Sequence, residues 1–440
     1  MSLATPEKIR RLQKKLYVKA KQEPTFRFYQ LYDKVYRSDI LAHAYDRCRA
    51  KHGAPGVDGV SFEQIEEEGL VAWLERLEED LRDKTYEPSP VRRVMIPKPG
   101  GGERPLGIPT IRDRVAQTAA KLILEPIFEA DFEDCAYGYR PKRSAQDAVK
   151  AAHEAICKGY TDVVDADLSK YFDTIPHGDL MKSVERRISD VHMLGLIRSW
   201  LKVPVEERDE NGRPRLTGGK RTNRGTPQGG VISPLLANIY MNRFLRTWRE
   251  RGMDDTFRAC IVNYADDFVI LTRRRAAEAL DWTRWAMTHL GLTLNETKTR
   301  LCNARREYFD FLGYTFGPAH FRKDGHWYLA ATPSKKAISR LRGGIRETLR
   351  TGIVTPWPIV RDRLNRKLQG WSGYFSYGTR TMAYRAVDNF VQTAVRGFLQ
   401  RRHKVPGRGT RRFSDAVIFG DRGVLRLRWQ QLGRPAGAVS

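Results

Sequence analysis

The sequence predicts an α+β protein in which an antiparallel, ferredoxin-like sheet carries helices on one face and a separate helical unit follows it. Two observations predict this. From about residue 160 to 320, short β-branched and aromatic runs alternate with amphipathic stretches; beyond 331 the apolar period is helical. A third, the length of 440 residues, exceeds what one compact core usually holds, so two or three domains are expected.

The elements follow in order. The first 50 residues read as helices, with Ile9, Leu12, Leu16 and then Leu31, Val35 and Ile40 at helical spacing. A Gly/Pro/Asp loop, "GAPGVDGVS" (53–61), leads into an acidic helix whose apolar face is Leu70, Leu74, Leu77 and Leu81. The segment "YEPSPVRRVMIPKPGGGERPLGIPT" reads as two short strands joined by a turn at Pro99 to Gly102, with a helix after it from Asp113 to Phe128. Then come "YTDVVDADLSKYFDTI" as strand and turn, helices near 177–188 and 191–202, and a polar Gly-rich excursion over 209–225. A helix opened by "TPQGGVISPLLANIY", the hairpin "ACIVNYADDFVILT", a helix over 276–290 and the strand "YFDFLGYTF" complete this part. Downstream, Ile338, Leu341, Ile345 and Leu349, then Val360, Leu364, Leu368 and Trp371, mark two helices; a third covers 381–402. The remaining residues read as a loop and a strand-like tail.

The net charge of +26 is far beyond what solubility needs and points to a polyanionic partner, nucleic acid first. It is uneven: residues 331–440 hold 23 Lys and Arg against 5 Asp and Glu. Trp371, Tyr374 and Phe375 lie in this basic stretch; Tyr374 and Phe375 are candidates for stacking on bases, whereas Trp371 has the spacing of a core residue. The five cysteines are scattered and never form C-x-x-C, which argues for a reducing compartment and against a disulfide framework or zinc knuckle. The basic N-terminus lacks the apolar core of a signal peptide, and no apolar run is long enough to span a membrane. A cytoplasmic protein is expected.

Two acidic sites carry the chemistry. In "NYADDFVI" (263–270) Asp266 and Asp267 interrupt an apolar strand-like run, either as a solvated hairpin turn or as a cation site. In "VVDADLSKYFD", Asp165 and Asp167 share one face at the end of an apolar strand. Carboxylates there are costly unless paired or bound to a cation. Two such strand ends in one sheet would make an oxygen cage suited to Mg²⁺, and two ions about 4 Å apart promote in-line phosphoryl transfer.

These stretches resemble the reverse transcriptase/maturase family encoded by bacterial group II introns. "YADD" (264–267) is similar to the family's catalytic hairpin, "DADLSKYFD" (165–173) to its other aspartate strand, and "TPQGGVISPLLANI" (226–239) to the segment beneath the templating pair. "IPKPGGGERPLGIPT" (96–110) resembles the fingers segment that holds the triphosphate, and "YGYRP", "GLTLNETKT", "FLGY" and "GWSGYF" follow in order. The resemblance covers about residues 50–400. It implies a right-hand polymerase with fingers, an antiparallel ferredoxin-like palm sheet and an α-helical thumb. It implies RNA-directed DNA polymerase activity using dNTPs and two Mg²⁺ ions, with Mn²⁺ as a substitute. Asp167 and Asp266 would ligate the metals with Asp267 in support. Phe172 would exclude a 2′-hydroxyl, and Lys98, Arg104, Gln228 and Lys298 would meet the incoming nucleotide or its leaving pyrophosphate. Phe311, Leu312, Gly313 and Tyr314 would grip the primer, and Gly56, Val57, Asp58 and Gly59 would form a lid over the template.

The domains expected are an N-terminal extension (1–85), fingers and palm (86–330), a three-helix basic thumb or maturase domain (331–403) and a short basic tail (404–440). The implied partners are group II intron RNA as template, a DNA or RNA primer and a DNA target, with the oligomeric state open. Long family members add an HNH endonuclease, which is not expected here, so support of retrohoming would rely on target-strand cleavage from elsewhere. Two other readings stay open: a domesticated reverse transcriptase serving CRISPR adaptation, phage defence or DNA repair, and an RNA-binding splicing factor with secondary or lost polymerase activity.

Overall fold

The computed structural model describes residues 4–97, 102–208, 213–227, 229–321 and 324–428, without the Arg104 side chain. Among them the strands are β1 (Val91–Pro97), β2 (Glu103–Ile108), β3 (Asp162–Asp167), β4 (Pro204–Arg208), β5 (Pro214–Gly218), β6 (Ala259–Tyr264), β7 (Asp267–Thr272), β8 (Arg300–Asn303), β9 (Phe309–Phe311), β10 (Tyr314–His320) and β11 (Trp327–Pro333). They form three sheets, in the orders β2-β1-β4-β5, β11-β10-β9 and β6-β7-β3-β8. The third is the expected palm sheet, with β3 between β7 and β8.

The hairpin β1–β2 runs in register from Arg92 opposite Ile108 to Pro97 opposite Glu103. It is half of a larger sheet, because β1 also pairs in parallel with β4, and β4 turns back into β5. The excursion expected to be irregular is therefore partly strand. "FLGY" lies in a hairpin between β9 and β10 instead of inside one strand, since Leu312 (φ +49°) and Gly313 (φ +79°) both turn left-handed, as a tight two-residue hairpin turn requires.

The chain divides into two compact units, Met1–Ser144 with Ala166–Phe268 and Ala277–Arg300, and Ala145–Asp165 with Val269–Ala276 and Leu301–Ser440. Neither expected boundary, at 85 or at 330, separates them. In the first unit the reason is helix Ile111–Glu129, capped by the Thr110 side chain and buried along most of its length. Its alanines let helices Glu7–Gln22 and Ser38–Arg49 pack closely on it, which joins the N-terminal extension to the fingers core. Helix Phe62–Arg82 opens on a Ser61/Gln64 capping box but breaks at Gly69 (φ +110°). The break turns the expected face: Phe62, Ile65, Leu77 and Leu81 are buried, while Leu70 and Leu74 are half-buried.

Asp190 ties this unit together. Its carboxylate caps helix Val191–Leu201 through the His192 and Met193 N–H groups and accepts from Leu31 N at 2.7 Å and Tyr32 N at 2.8 Å. Burial alone would raise this carboxyl, but the four backbone donors outweigh it and hold it below the usual carboxylate range. A depressed pKa contributes stability above the unfolded value, about 3.9, and loses it as pH falls through the folded value. Asp190→Ala is expected to cost about 2 kcal/mol at pH 7, read as urea unfolding, with the difference from wild type shrinking below about pH 4.

In the second unit, helices Lys335–Thr351, Trp357–Tyr374 and Thr381–Arg402 enclose a core that includes Leu341, Ile345, Val360, Leu364, Val391 and Phe398. The described part of the tail, residues 404–428, packs on this core. Phe413, Ile418 and Leu427 are buried in it, and a short π-helical turn at Val417–Asp421 replaces the expected strand. Buried Asp388 accepts from Leu427 N at 2.9 Å and Arg428 N at 3.2 Å, and Asn365 Oδ1 accepts from Leu425 N at 2.8 Å. Tyr374 and Phe375 are committed to protein: Phe375 is buried with its ring 5.0 Å from that of Tyr314, and Tyr374 donates to Leu312 O at 2.8 Å. Burial leaves the Phe375 ring no face open to stack on a base, while Tyr374 is half-buried. Trp371 packs against the core, as its spacing suggested.

Candidate active site

The direction of β3 against β7 follows from contacts at one end. Thr272 Oγ1, on the last residue of β7, donates to Asp162 O on the first residue of β3 at 3.2 Å, and Arg274 N donates to Asp162 Oδ2 at 3.0 Å. The neighbours are thus antiparallel. Asp167 closes β3 and Asp267 opens β7, so both stand at the opposite end of the sheet, with Asp266 in the turn beside them.

That turn is held in an unusual backbone state. Ala265 is buried with φ +60°, a conformation L-residues enter at a cost of about 1–3 kcal/mol. The Asn263 side chain donates to Ala265 O at 2.9 Å, and Asn263 itself is stitched to the neighbouring segment through Cys135 O and Tyr137 N. Gly138 lies against the turn so tightly that a Cβ there would fall 2.4 Å from Ala265 N. Only glycine fits. Asp266 is close enough to Tyr171 that its charge adds to burial in pushing the Tyr171 hydroxyl well above its usual range, so this phenol stays protonated and donates to Ala237 O at 2.7 Å.

Asp167 has two donors on one oxygen. Lys298 Nζ lies 2.9 Å and Asn295 Nδ2 3.2 Å from Oδ2, and Asn295 N bonds the Asp167 carbonyl at 2.8 Å. The "GLTLNETKT" segment therefore runs alongside the strand end and presents an ammonium to it. Phe172, beyond the left-handed Lys170, is 7% exposed and meets the Tyr139 ring edge-on at 6.4 Å. Its carbonyl accepts from Thr226 N at 2.7 Å, which fixes the start of "TPQGG" beside it. Gln117 Oε1 holds the far side of that segment through Val231 N at 2.8 Å. Gly229 (φ +114°) allows it to touch β2, where a Cβ would fall 2.0 Å from Gly107 O.

Tyr139, Phe172, Gly229 and Val231 line a cleft of about 500 Å³ together with the basic side chains Arg47, Lys51, Arg114 and Lys121. The loop 53–61 is pinned at its base, with Arg92 donating to Pro55 O at 2.6 Å and Gly56 packed on Thr110, while Asp58 and Gly59 are exposed. Lys98 and Gln228 lie outside the described residues, as does the Arg104 side chain; the Arg104 backbone pairs with Ile96. Phe311 and Tyr314 are core residues, 1% and 0% exposed, so of "FLGY" only the turn Leu312–Gly313 is accessible. Sequence reasoning missed Asn263, Asn295, Gln117 and Tyr139. Asn295 stood inside a quoted motif, but only the backbone pairing of 293–295 with 167–169 reveals what its amide serves.

The donor chemistry fits a hard divalent cation: carboxylates gather at one strand end, and one of them already draws a cation in Lys298. Among the described residues no three His, Cys, Asp or Glu side chains come together closely enough to hold a metal unaided. Catalytic Mg²⁺ commonly fills its remaining positions with water and substrate phosphate.

An antiparallel sheet presenting carboxylates at one strand end has the architecture of a polymerase palm. The family model for reverse transcriptase (RNA-dependent DNA polymerase) matches residues 96–316, and that for the group II intron maturase-specific domain matches residues 338–414. Protein YkfC of Escherichia coli (strain K12) is 33% identical over 366 residues, covering 75% of this chain and 93% of that protein. Group II intron-encoded protein LtrA of Lactococcus lactis subsp. cremoris is 37% identical over 223 residues, covering 49% of this chain and 34% of that protein. The putative COX1/OXI3 intron 1 protein of Saccharomyces cerevisiae is 29% identical over 386 residues, covering 74% and 43%. The chain thus spans nearly all of the first relative and about a third of the second. It belongs to the reverse transcriptase family, the RNA-directed DNA polymerases, and carries a group II intron maturase-specific domain.

Proposed function

We propose that this chain copies RNA into DNA at the strand end bearing Asp167, Asp266 and Asp267, with two Mg²⁺ ions, replaceable by Mn²⁺, and dNTPs as substrates. The observation that carries this reading is the antiparallel placement of β3 against β7, which sets Asp167 and Asp267 at the same end of the sheet. When bound, the ions offset the carboxylate charge and polarise the attacking and leaving oxygens. Asp167 and Asp266 hold them, with Asp267 in support. Tyr139 and Phe172 form the apolar wall against the sugar and exclude a 2′-hydroxyl. Lys298 reaches the leaving pyrophosphate, and Lys98, Arg104 and Gln228 contact the triphosphate and base. The Leu312–Gly313 turn, with Phe311 and Tyr314 anchoring it, bears on the primer, and residues 56–59 cover the template.

The RNA partner in this reading is group II intron RNA, bound through the arginine-rich helical unit, with a DNA or RNA primer and a DNA target, in the cytoplasm. No described helix is long and apolar enough to cross a membrane. Retrohoming would follow from synthesis at that target. Primer extension on an RNA template with dNTPs and Mg²⁺ tests the activity of this chain; a folded, RNA-binding protein that makes no DNA would overturn the reading.

A further inference from the structure

The Lys298–Asp167 pair stands where the catalytic cation is drawn. Among the described residues Asp167 is the one carboxylate that Lys298 meets, and the contact is made by a side chain that is 64% exposed on a flexible four-carbon stem. Asn295 donates to the same oxygen, so Oδ2 is saturated before any metal arrives. Asp266 and Asp267 share this end of the sheet, and clustered carboxylates repel one another without a counter-charge. An ammonium there relieves the repulsion, and the same ammonium repels a divalent cation.

From this we propose that Lys298 is an electrostatic place-holder that weakens metal binding in the nucleotide-free protein and leaves Asp167 when metal and triphosphate enter together. The proposal rests on the reading of Asp167 as a metal ligand. A triphosphate supplies several negative charges, a stronger partner for Lys298 than one half-exposed carboxylate. Metal and nucleotide then favour each other's binding, because each removes the ammonium that opposes the metal, and the coupling is reciprocal. The site loads as a metal–nucleotide pair and takes up free metal poorly.

A unit charge about 5 Å from a divalent ion in a water-like medium, partly screened by salt, changes affinity by about fivefold. Lys298→Met keeps the length of the stem and removes the charge. Mn²⁺ titration of the full chain without nucleotide, followed by electron paramagnetic resonance, should show about fivefold tighter binding for this variant than for wild type. Equal or weaker binding would overturn the proposal. Asp167→Asn, titrated in parallel, should bind Mn²⁺ more weakly than wild type. Unchanged affinity there would instead remove the metal-ligand reading on which the proposal stands.

If Lys298→Met misfolds, wild-type protein still decides. Acetylation of Lys298 by an activated ester, quantified by mass spectrometry, should slow when Mg²⁺ and dTTP are added together, because the ammonium, exposed beside Asp167, exchanges that partner for the more highly charged triphosphate. Faster or unchanged labelling would overturn the exchange.

Discussion

Asp266→Ala should lower primer extension on an RNA template by at least about a thousandfold, equivalent to about 4 kcal/mol of lost transition-state stabilisation, while RNA affinity stays within about twofold of wild type. The loss is large because a carboxylate at the metal site acts on charge that develops only during reaction, in a site where little water screens it. RNA affinity is spared because it arises from phosphate contacts made by the basic surfaces, which the substitution leaves intact. The fold should also survive. Ala265 and Asn263 hold the turn through backbone geometry and the Asn263 amide, which the substitution leaves in place. Matched unfolding curves and filter-binding titrations separate the two effects. Loss of RNA affinity in step with synthesis would show a folding defect, and retained synthesis would remove Asp266 from the chemistry.

Phe172→Ala should let ribonucleotides into the product, with the preference for dNTP over rNTP, measured as a ratio of kcat/KM values, falling by about a hundredfold. An apolar pocket that must reject one added hydroxyl reaches discrimination of about that size by sterics. Phe172 is suited to the task because its backbone is fixed by Thr226 N and its ring is braced by Tyr139 and Tyr171, so it cannot give way. Because the ring is 93% buried, truncation will also lower stability by about 3 kcal/mol, so Phe172→Tyr, which keeps the bulk, is the control expected to retain selectivity. Equal selectivity in wild type and Phe172→Ala would reduce Phe172 to a core residue.

Some of this arrangement is visible in the residues and some is not. The carboxylate strands were legible because Val163 and Val164 ahead of Asp165 and Asp167, and the apolar flanks of "YADD", break the rule that charge avoids strand interiors. The thumb helices were legible from a clean three-and-four spacing of apolar residues. The β4–β5 hairpin was missed although Asn211-Gly212, the strongest short hairpin signal, lies between its strands, because surrounding charges masked the alternation. The tail was read as loop and strand because Phe413, Ile418, Phe419 and Leu427 have no regular period; they fill a preformed core one by one. Helix breakage at Gly69 shows the same limit in reverse, a clean leucine pattern overridden by one residue. Asn295 and Lys298 were invisible as partners of Asp167, since no local pattern reports a contact 128 or 131 residues away in the chain.

That separation also sets when the Asp167 end of the sheet can form in a newly made chain. A ribosome finishes residue 167 long before it reaches Asn295 and Lys298, and until the later segment emerges β3 lacks its β8 neighbour and Asp167 lacks both donors. Non-local pairings of this kind form late, after local helices such as Ile111–Glu129 have folded. The strand end that bears Asp167 therefore takes its final form only after β8, far behind β3 in the chain, has emerged.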